Sequence, residues 1–230
     1  MSNEKFGFRD AKEIDIGYAR VLCIRITYVG ELGYELYVPS EQAVHVYNKI
    51  MEVNGDGGEF GLKHAGLKAL GSLRLEKGYR DFGHDMDNTD TLLQVGLGFT
   101  VDNSHEFIGK EIVAEEKRVN KARGGMTKRL LQVLVATEGE NDQCLLHHGE
   151  IVRRNGLDMG EIRVGGYGHT LEGPIGLFMC DTEEHGGGGD IINKKFIEDG
   201  EWTVQIGNEI RKIGVSIGPM FDPKNVKIKS

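Results

Sequence analysis

Two tyrosines and a glutamate around a glycine-containing turn are the residues of this chain best suited to bind a ligand. Residues 21–28 and 34–38 both alternate apolar and polar side chains, which predicts a β-hairpin with Tyr28 at the end of its first strand and Glu35 and Tyr37 in its second. The strand pleat then places the Glu35 carboxylate beside Tyr37. A carboxylate next to aromatic rings suits a planar ligand with two adjacent N–H groups, because two parallel hydrogen bonds fix its orientation.

Each of these three residues also has an ordinary structural interpretation. In this interpretation Glu35 pairs with Arg25 across the hairpin or faces water, since cross-strand pairs on a sheet surface are common. Tyr28 and Tyr37 are then core aromatic residues and do not stack on a ligand. Taken alone, the pattern favours these plainer interpretations.

Other chemical signatures fail when their spacing is checked. There is no Walker A sequence and no GxGxxG motif between a strand and a helix, so no dinucleotide-binding domain is predicted. An acidic run (Asp85, Asp87, Asp90) lacks the turn glycine and the bidentate glutamate of a calcium loop. The three cysteines are far apart in the sequence and form no CxxC pair. We expect no metal site and nominate no catalytic residue.

The elements of the first hundred residues read as two βαβ-like pieces. In the first strand, Leu22, Ile24 and Tyr28 share one apolar face of a half-buried strand. Helical spacing predicts a helix after residue 40 that ends at the Gly-rich stretch 54–58, and a second helix at about 65–75.

A third, charged helix is predicted at about 106–120. Its apolar stripe consists of Ile108, Ile112 and Val113, and the rest of its surface is predicted to be solvated.

The pattern changes to short strands after the basic connector at 121–129. Strands are predicted in LLQVLVAT, GPIGLFMC, WTVQI and IRKIGVSI, and a hairpin is predicted around Asn155-Gly156. We therefore predict an α+β fold with two domains: an α+β part at 1–121 and a small antiparallel barrel or sandwich at 122–230.

Composition narrows the possible partners. The 230 residues carry 28 Lys+Arg and 36 Asp+Glu, a net charge of −8, which argues against nucleic-acid binding. No apolar run approaches the roughly 18 residues of a membrane-spanning helix, so no membrane partner is expected. The N-terminal residues show no targeting segment.

Several motifs in register resemble the aminomethyltransferase family, the T-protein of the glycine cleavage system and its relatives. The segment RITYVGELGYELYVP at 25–39 is similar to the family signature Y-T-G-E-x-G-x-E. The match continues in AGLKALGSLRLEKGYRDFGHDMD, GLGF, FIGKE, RRNG, YGHTL and FDPKN, so it spans nearly the whole chain. Within the family, the sarcosine dehydrogenase branch is most similar, with the dimethylglycine dehydrogenase branch close behind.

The resemblance implies a fold, a ligand and a location. The fold would be the latter part of the aminomethyltransferase fold, incomplete at 1–121, followed by the family's C-terminal β-barrel at 122–230. The ligand would be tetrahydrofolate, with Tyr28 and Glu35 matching the family's folate contacts and Tyr37, beside Glu35, as a third folate-binding residue. FAD would belong only to an N-terminal part that this sequence lacks. The location would be the mitochondrial matrix, and the incomplete first domain would favour self-association.

Some family positions differ here. The family's catalytic aspartate would lie upstream of this sequence, and Glu31 in the turn is interpreted as structural. T-proteins carry a folate-binding arginine where Leu70 stands, four residues before Arg74, which favours the dehydrogenase branch.

Two classes of function therefore remain open. One is the folate-binding part of an enzyme that demethylates sarcosine and passes the one-carbon unit to tetrahydrofolate, or a dimethylglycine dehydrogenase or T-protein fragment. The other is a non-catalytic regulatory module with the same fold. The 230 residues alone would lack flavin and dehydrogenase activity.

Overall fold

The structure, a computed structural model, describes residues 3–54, 58, 60–137, 139 and 144–230. Its contacts divide the chain into two units. The first contains the residues up to Arg74 together with Lys224–Ser230, and the second contains Leu75–Pro223.

The first unit is built on a three-stranded antiparallel sheet. Strands β1 (Ala11–Ile16), β2 (Ala19–Ile24) and β3 (Glu35–Tyr37) lie in that order, followed by helices α1 (Ala43–Asn54) and α2 (Leu67–Glu76). The predicted hairpin is confirmed as β2 and β3, although β2 ends at Ile24 instead of Tyr28. The βαβ prediction is wrong, because all strand pairs in this sheet are antiparallel. The Gly-rich stretch predicted to end α1 lies largely outside the described residues.

The core of this unit lies on the opposite face of β2 from the one suggested by the sequence. Ala19, Val21 and Val46 of α1 form the buried cluster, and Cys23 on the same face of β2 is also buried. Leu22, by contrast, is 40% exposed. Both faces of β2 carry apolar side chains, so alternation alone did not decide which face α1 covers.

The second unit contains a closed barrel of six antiparallel strands. They are β4 (Lys128–Val135), β5 (Ile151–Arg154), β6 (Leu157–Gly168), β7 (Gly173–Asp181), β8 (Trp202–Ile206) and β9 (Glu209–Ser216), with helix α3 (Lys110–Arg123) before them and the short helix α4 (Lys194–Glu198) after β7. Around the barrel the order is β4-β7-β6-β5-β8-β9. The predicted small antiparallel barrel is thus confirmed.

An apolar cluster fills the barrel, and the turn between β5 and β6 is the one that the sequence predicts. Val133, Val152 and Phe178 are fully buried inside it. Asn155 and Gly156 both have positive φ, 51° and 81°, as a two-residue type I′ hairpin requires.

A second apolar cluster and several buried polar groups join the end of α2 to the barrel within the second unit. Leu75 and Val95 pack with Leu130 and other strand residues. The Gln132 amide of β4 donates to the carbonyls of Leu75 and Glu76 at 2.6 and 3.0 Å, and its oxygen accepts from the Met220 N–H at 2.7 Å.

The apolar stripe predicted for α3 is wrong. Ile108 lies before the helix and is fully exposed, Ile112 is 72% exposed, and α3 has no buried residue. Among the described residues, no helix has both the length and the apolar character needed to cross a membrane.

Candidate functional site

The candidate site lies on the face of the first unit's sheet that α1 leaves uncovered. The strand register pairs Ile24 with Glu35 and Leu22 with Tyr37. Residues directly opposite each other in an antiparallel pair project to the same face. Glu35 and Tyr37 therefore share a face with Leu22 and Ile24, while Cys23 projects to the buried side.

Glu35 and Tyr37 form a direct hydrogen bond on this face. The Tyr37 hydroxyl donates to Oε2 of Glu35 at 2.9 Å. This bond, together with the negative charge of the carboxylate, raises the pKa of Tyr37 above its ordinary value, since losing the phenol proton would place two anions side by side. Tyr37 is 53% exposed, so it is not a core aromatic residue, and its place beside Glu35 agrees with the alternation of the strand.

The surface beside this pair is partly apolar. Leu22 is 40% exposed and Ile24 is half-buried. Because they lie on the neighbouring strand, about 5 Å from β3, they extend the surface sideways from the carboxylate. A carboxylate and a phenol at the edge of an apolar patch can bind the polar rim of a planar molecule while its ring rests on the aliphatic side chains.

Tyr28, the third predicted site residue, belongs to neither strand. It is half-buried in the irregular segment between β2 and β3. In this segment the Thr27 hydroxyl accepts the Val29 N–H at 3.1 Å, and Gly30 has a positive φ of 75°. Glu31, interpreted as a turn residue, lies in the same segment and is half-buried.

Arg25 does not take the role that the plainer interpretation gave it. It is 1% exposed, and its guanidinium donates to the carbonyl of Phe6 at 2.7 Å and to the terminal oxygen of Ser230 at 2.9 Å. Arg25 therefore projects to the buried side of the chain, away from the face that carries Glu35. Sequence reasoning missed this because the partners are 19 and 205 residues away.

Leu70 and Arg74 of α2, where T-proteins carry two arginines, differ in their burial. Leu70 in α2 is half-buried and Arg74, one turn later, is 4% exposed. A buried arginine at this position agrees with a structural role for Arg74.

The acidic run examined as a calcium loop has structural partners. Asp85 is fully buried and accepts the Asp81 N–H at 3.1 Å, and Asp90 forms an ion pair with Arg163. No group of three or more histidine, cysteine or acidic residues with metal-binding geometry occurs among the described residues.

Two of the pockets that the described residues form lie in the second unit. One, of about 370 Å³, is lined by charged side chains that include Lys128, Glu161 and Arg163. The other, of about 360 Å³, lies beside α4 and β9. Neither pocket includes a residue of the sheet that carries Glu35.

Comparison with protein families defines the class of protein. Residues 1–105 match the GCVT N-terminal domain, and residues 128–222 match the glycine cleavage T-protein C-terminal barrel domain. The chain belongs to the glycine cleavage T-protein family.

Individual relatives give a more specific comparison. The chain is 33% identical, over 99% of its length, to 4-methylaminobutanoate oxidase (formaldehyde-forming) of Paenarthrobacter nicotinovorans. It is 29% identical, over its whole length, to mitochondrial sarcosine dehydrogenase of Mus musculus, and 31% identical, over 90%, to the mitochondrial pyruvate dehydrogenase phosphatase regulatory subunit of the same species. It spans 25%, 23% and 23% of these relatives, respectively.

A solved structure supports the fold. The aminomethyltransferase T of the Bartonella henselae glycine cleavage system matches with a TM-score of 0.71 and 20% sequence identity. The match covers 97% of this chain and 55% of that one. The chain therefore has the fold of part of an aminomethyltransferase, as predicted.

Proposed function

We propose that this chain is the tetrahydrofolate-binding part of an oxidoreductase that demethylates an N-methylated amino acid such as sarcosine. Two relatives named in the comparison, sarcosine dehydrogenase and 4-methylaminobutanoate oxidase, have names that refer to N-methylated amino acids. Support from the chain itself comes from the Glu35–Tyr37 pair on an open, partly apolar sheet face.

The residues on this face fit the pterin ring of a folate. Glu35 offers carboxylate oxygens to two adjacent N–H groups, such as the 2-amino group and the ring N3–H of a pterin. Leu22 and Ile24 offer aliphatic side chains on which the flat ring rests. Tyr28 precedes the same turn and is proposed as a further folate contact.

The proposed task of these residues is positioning. Tetrahydrofolate supplies a nucleophilic nitrogen that accepts a one-carbon unit. Glu35 would hold the opposite edge of the pterin, so it would fix the ring's orientation without touching the reacting nitrogens. The flavin chemistry and the choice of N-methyl substrate are proposed to belong to other parts of such an oxidoreductase.

Calorimetry with a stable tetrahydrofolate derivative, 5-formyltetrahydrofolate, tests this proposal. Glu35→Ala should weaken binding by about 1.5 to 3 kcal/mol, the range for a hydrogen bond to a charged group. Glu52→Ala is a matched control, because Glu52 is an exposed carboxylate of the same unit, in α1 and away from the sheet face, that is paired with Lys49 at 2.6 Å. Equal affinities of wild type and Glu35→Ala would remove Glu35 from the site.

A regulatory role is the second candidate function. The similarity to the phosphatase regulatory subunit favours it, since that relative is as similar as the oxidoreductases. A chain that binds no folate but associates with another protein through the same open face would support this alternative.

Location and assembly are proposed on the same basis. Sarcosine dehydrogenase and the phosphatase regulatory subunit both carry the word mitochondrial in their names, which supports a mitochondrial location for this chain. The exposed apolar residues on the open face of the first unit support self-association of the chain.

A further inference from the structure

We infer that Tyr37 is a positioning residue, whose hydroxyl fixes the Glu35 carboxylate so that its remaining acceptor positions face the ligand. This inference rests on the proposed function, because it describes how the proposed pterin contact is prepared. It gives Tyr37 a different role from the direct folate contact that the sequence suggested.

The geometry of β3 brings the two side chains together. Glu35 and Tyr37 are two residues apart on an edge strand, so they project to the same face. The Tyr37 hydroxyl reaches back along the strand and donates to Oε2 of Glu35 at 2.9 Å. A glutamate side chain has three rotatable bonds, and an exposed one otherwise samples many rotamers. The hydrogen bond therefore restricts a carboxylate that would be mobile on an open surface.

The nearby arginines are engaged elsewhere. Arg20 bonds at 2.9 Å to Glu13, which lies directly opposite Leu22 on β1. Arg25 projects inward to the Phe6 carbonyl. The partner that the structure shows for Glu35 is thus a neutral phenol, which orients the carboxylate without neutralising its charge. A guanidinium in this place would compete with the N–H groups of a ligand.

The hydrogen bond leaves enough acceptor capacity for a ligand. A carboxylate has two oxygens and about four lone-pair positions. Tyr37 occupies one position on Oε2, so Oε1 and the other side of Oε2 remain for two parallel N–H donors. An oriented carboxylate loses less conformational freedom when the ligand binds, and this difference should appear as affinity.

The test compares two tyrosine variants of the 230-residue chain. Tyr37→Phe removes only the hydroxyl that contacts Glu35. Tyr47→Phe is the matched control, because Tyr47 is 51% exposed in α1 of the same unit and its hydroxyl bonds to His64. Calorimetry with 5-formyltetrahydrofolate should show binding weakened about three- to tenfold by Tyr37→Phe and unchanged by Tyr47→Phe. Binding of p-aminobenzoylglutamate, which lacks the pterin, should be the same in both.

A spectroscopic readout tests the hydrogen bond without a ligand. The ultraviolet absorbance of tyrosinate is titrated in wild type and in Tyr37→Phe, and their difference isolates Tyr37. Since the carboxylate raises the pKa of Tyr37, Glu35→Gln should move this titration to lower pH, toward the ordinary tyrosine value. An identical Tyr37 titration with and without the Glu35 carboxylate would overturn the inference.

The binding outcomes separate this inference from the proposed function. If Glu35→Gln weakens folate binding and Tyr37→Phe does not, the positioning role is overturned while the proposed function stands. If the wild-type chain binds no folate, the proposed function fails and this inference fails with it. If the wild-type chain binds folate and Glu35→Gln binds it equally well, Glu35 is removed from the site and this inference is overturned. Weakened binding in both variants, with less than additive loss in the double variant, supports both.

Discussion

The ammonium of Lys77 and the carboxylate of Asp222 form a buried ion pair in the second unit. Nζ lies 3.3 Å from Oδ2 and also donates to the Asp222 carbonyl at 2.5 Å. The two side chains are only 1% and 8% exposed. Removing one partner from such a pair leaves the other charge buried without its counter-ion, which is strongly unfavourable.

Asp222→Ala should therefore lower the free energy of unfolding by about 3 to 5 kcal/mol. Urea denaturation followed by fluorescence reports on the barrel directly, because Trp202 is the single tryptophan and is 5% exposed. The control is Glu198→Ala, which breaks an exposed pair with Lys194 and should cost less than about 1 kcal/mol. Equal losses in the two variants would contradict the importance of burial.

Gly156 in the β5–β6 turn gives a prediction about backbone conformation. Its φ of 81° is in the left-handed region, so Gly156→Ala should cost about 1 to 2 kcal/mol of stability. Gly218→Ala serves as the comparison, because Gly218 has no positive φ and an added Cβ would meet no atom within 4 Å. Thermal unfolding of both variants measures the difference, and a Gly156→Ala protein as stable as Gly218→Ala would refute the prediction.

The cysteines should differ in their reactivity. Burial raises the pKa of the Cys180 thiol to about 12, and burial also raises that of Cys23. At about pH 8 only about one Cys180 in ten thousand is then the reactive thiolate. With a disulfide reagent, we expect the half-buried Cys144 to react in the folded protein and all three cysteines to react in denaturant. Rapid reaction of three thiols without denaturant would contradict the burial of Cys23 and Cys180.

The raised pKa of Cys180 also affects the stability of the fold at alkaline pH. Because the pKa of Cys180 in the folded state lies above its ordinary value of 9.0, the folded state favours the neutral thiol. Its contribution to stability is complete below about pH 9 and declines as the pH rises toward 12. Cys180→Ala should therefore show a smaller loss of stability between these pH values than the wild type, when both proteins are denatured with a reductant present that keeps the thiols reduced.

Self-association of the chain should depend on the open sheet face. Leu22 is 40% exposed there, and Leu22→Lys should shift the protein toward the monomer at high concentration. Leu157→Lys places the same charge on a leucine of the second unit that is 52% exposed, and it should leave the equilibrium as in the wild type. Sedimentation velocity over a concentration series measures both, and a wild type that stays monomeric throughout would refute self-association.

Local signals explain which parts of the fold were predictable. The prediction of a hairpin at Asn155-Gly156 was correct, because the turn residues and the flanking alternation that determine it lie within a few positions of one another. The shared face of Glu35 and Tyr37 followed from the two-residue period of a strand. Strand β1 (AKEIDI) was missed because its charged residues weaken the apolar pattern.

Contacts between residues that are distant in sequence explain the features that were not predicted. The burial of Arg25 depends on Phe6 and Ser230, and no local pattern encodes those partners. The apolar residues Ile108 and Ile112 have helical spacing, yet spacing shows only that they share a face and not that a partner covers it. For the candidate site, the sequence predicted which side chains meet but not that their face is open.

The amide of Gln132 also determines how this chain can be shortened. It binds carbonyls of Leu75 and Glu76, which precede the barrel, and the N–H of Met220, which follows it. A polypeptide cut just before the first barrel strand would strip this amide of its acceptors and expose Leu130 to water. The smallest piece expected to fold independently therefore runs from Leu75 to Pro223, so protease-resistant cores of this protein should retain the end of α2.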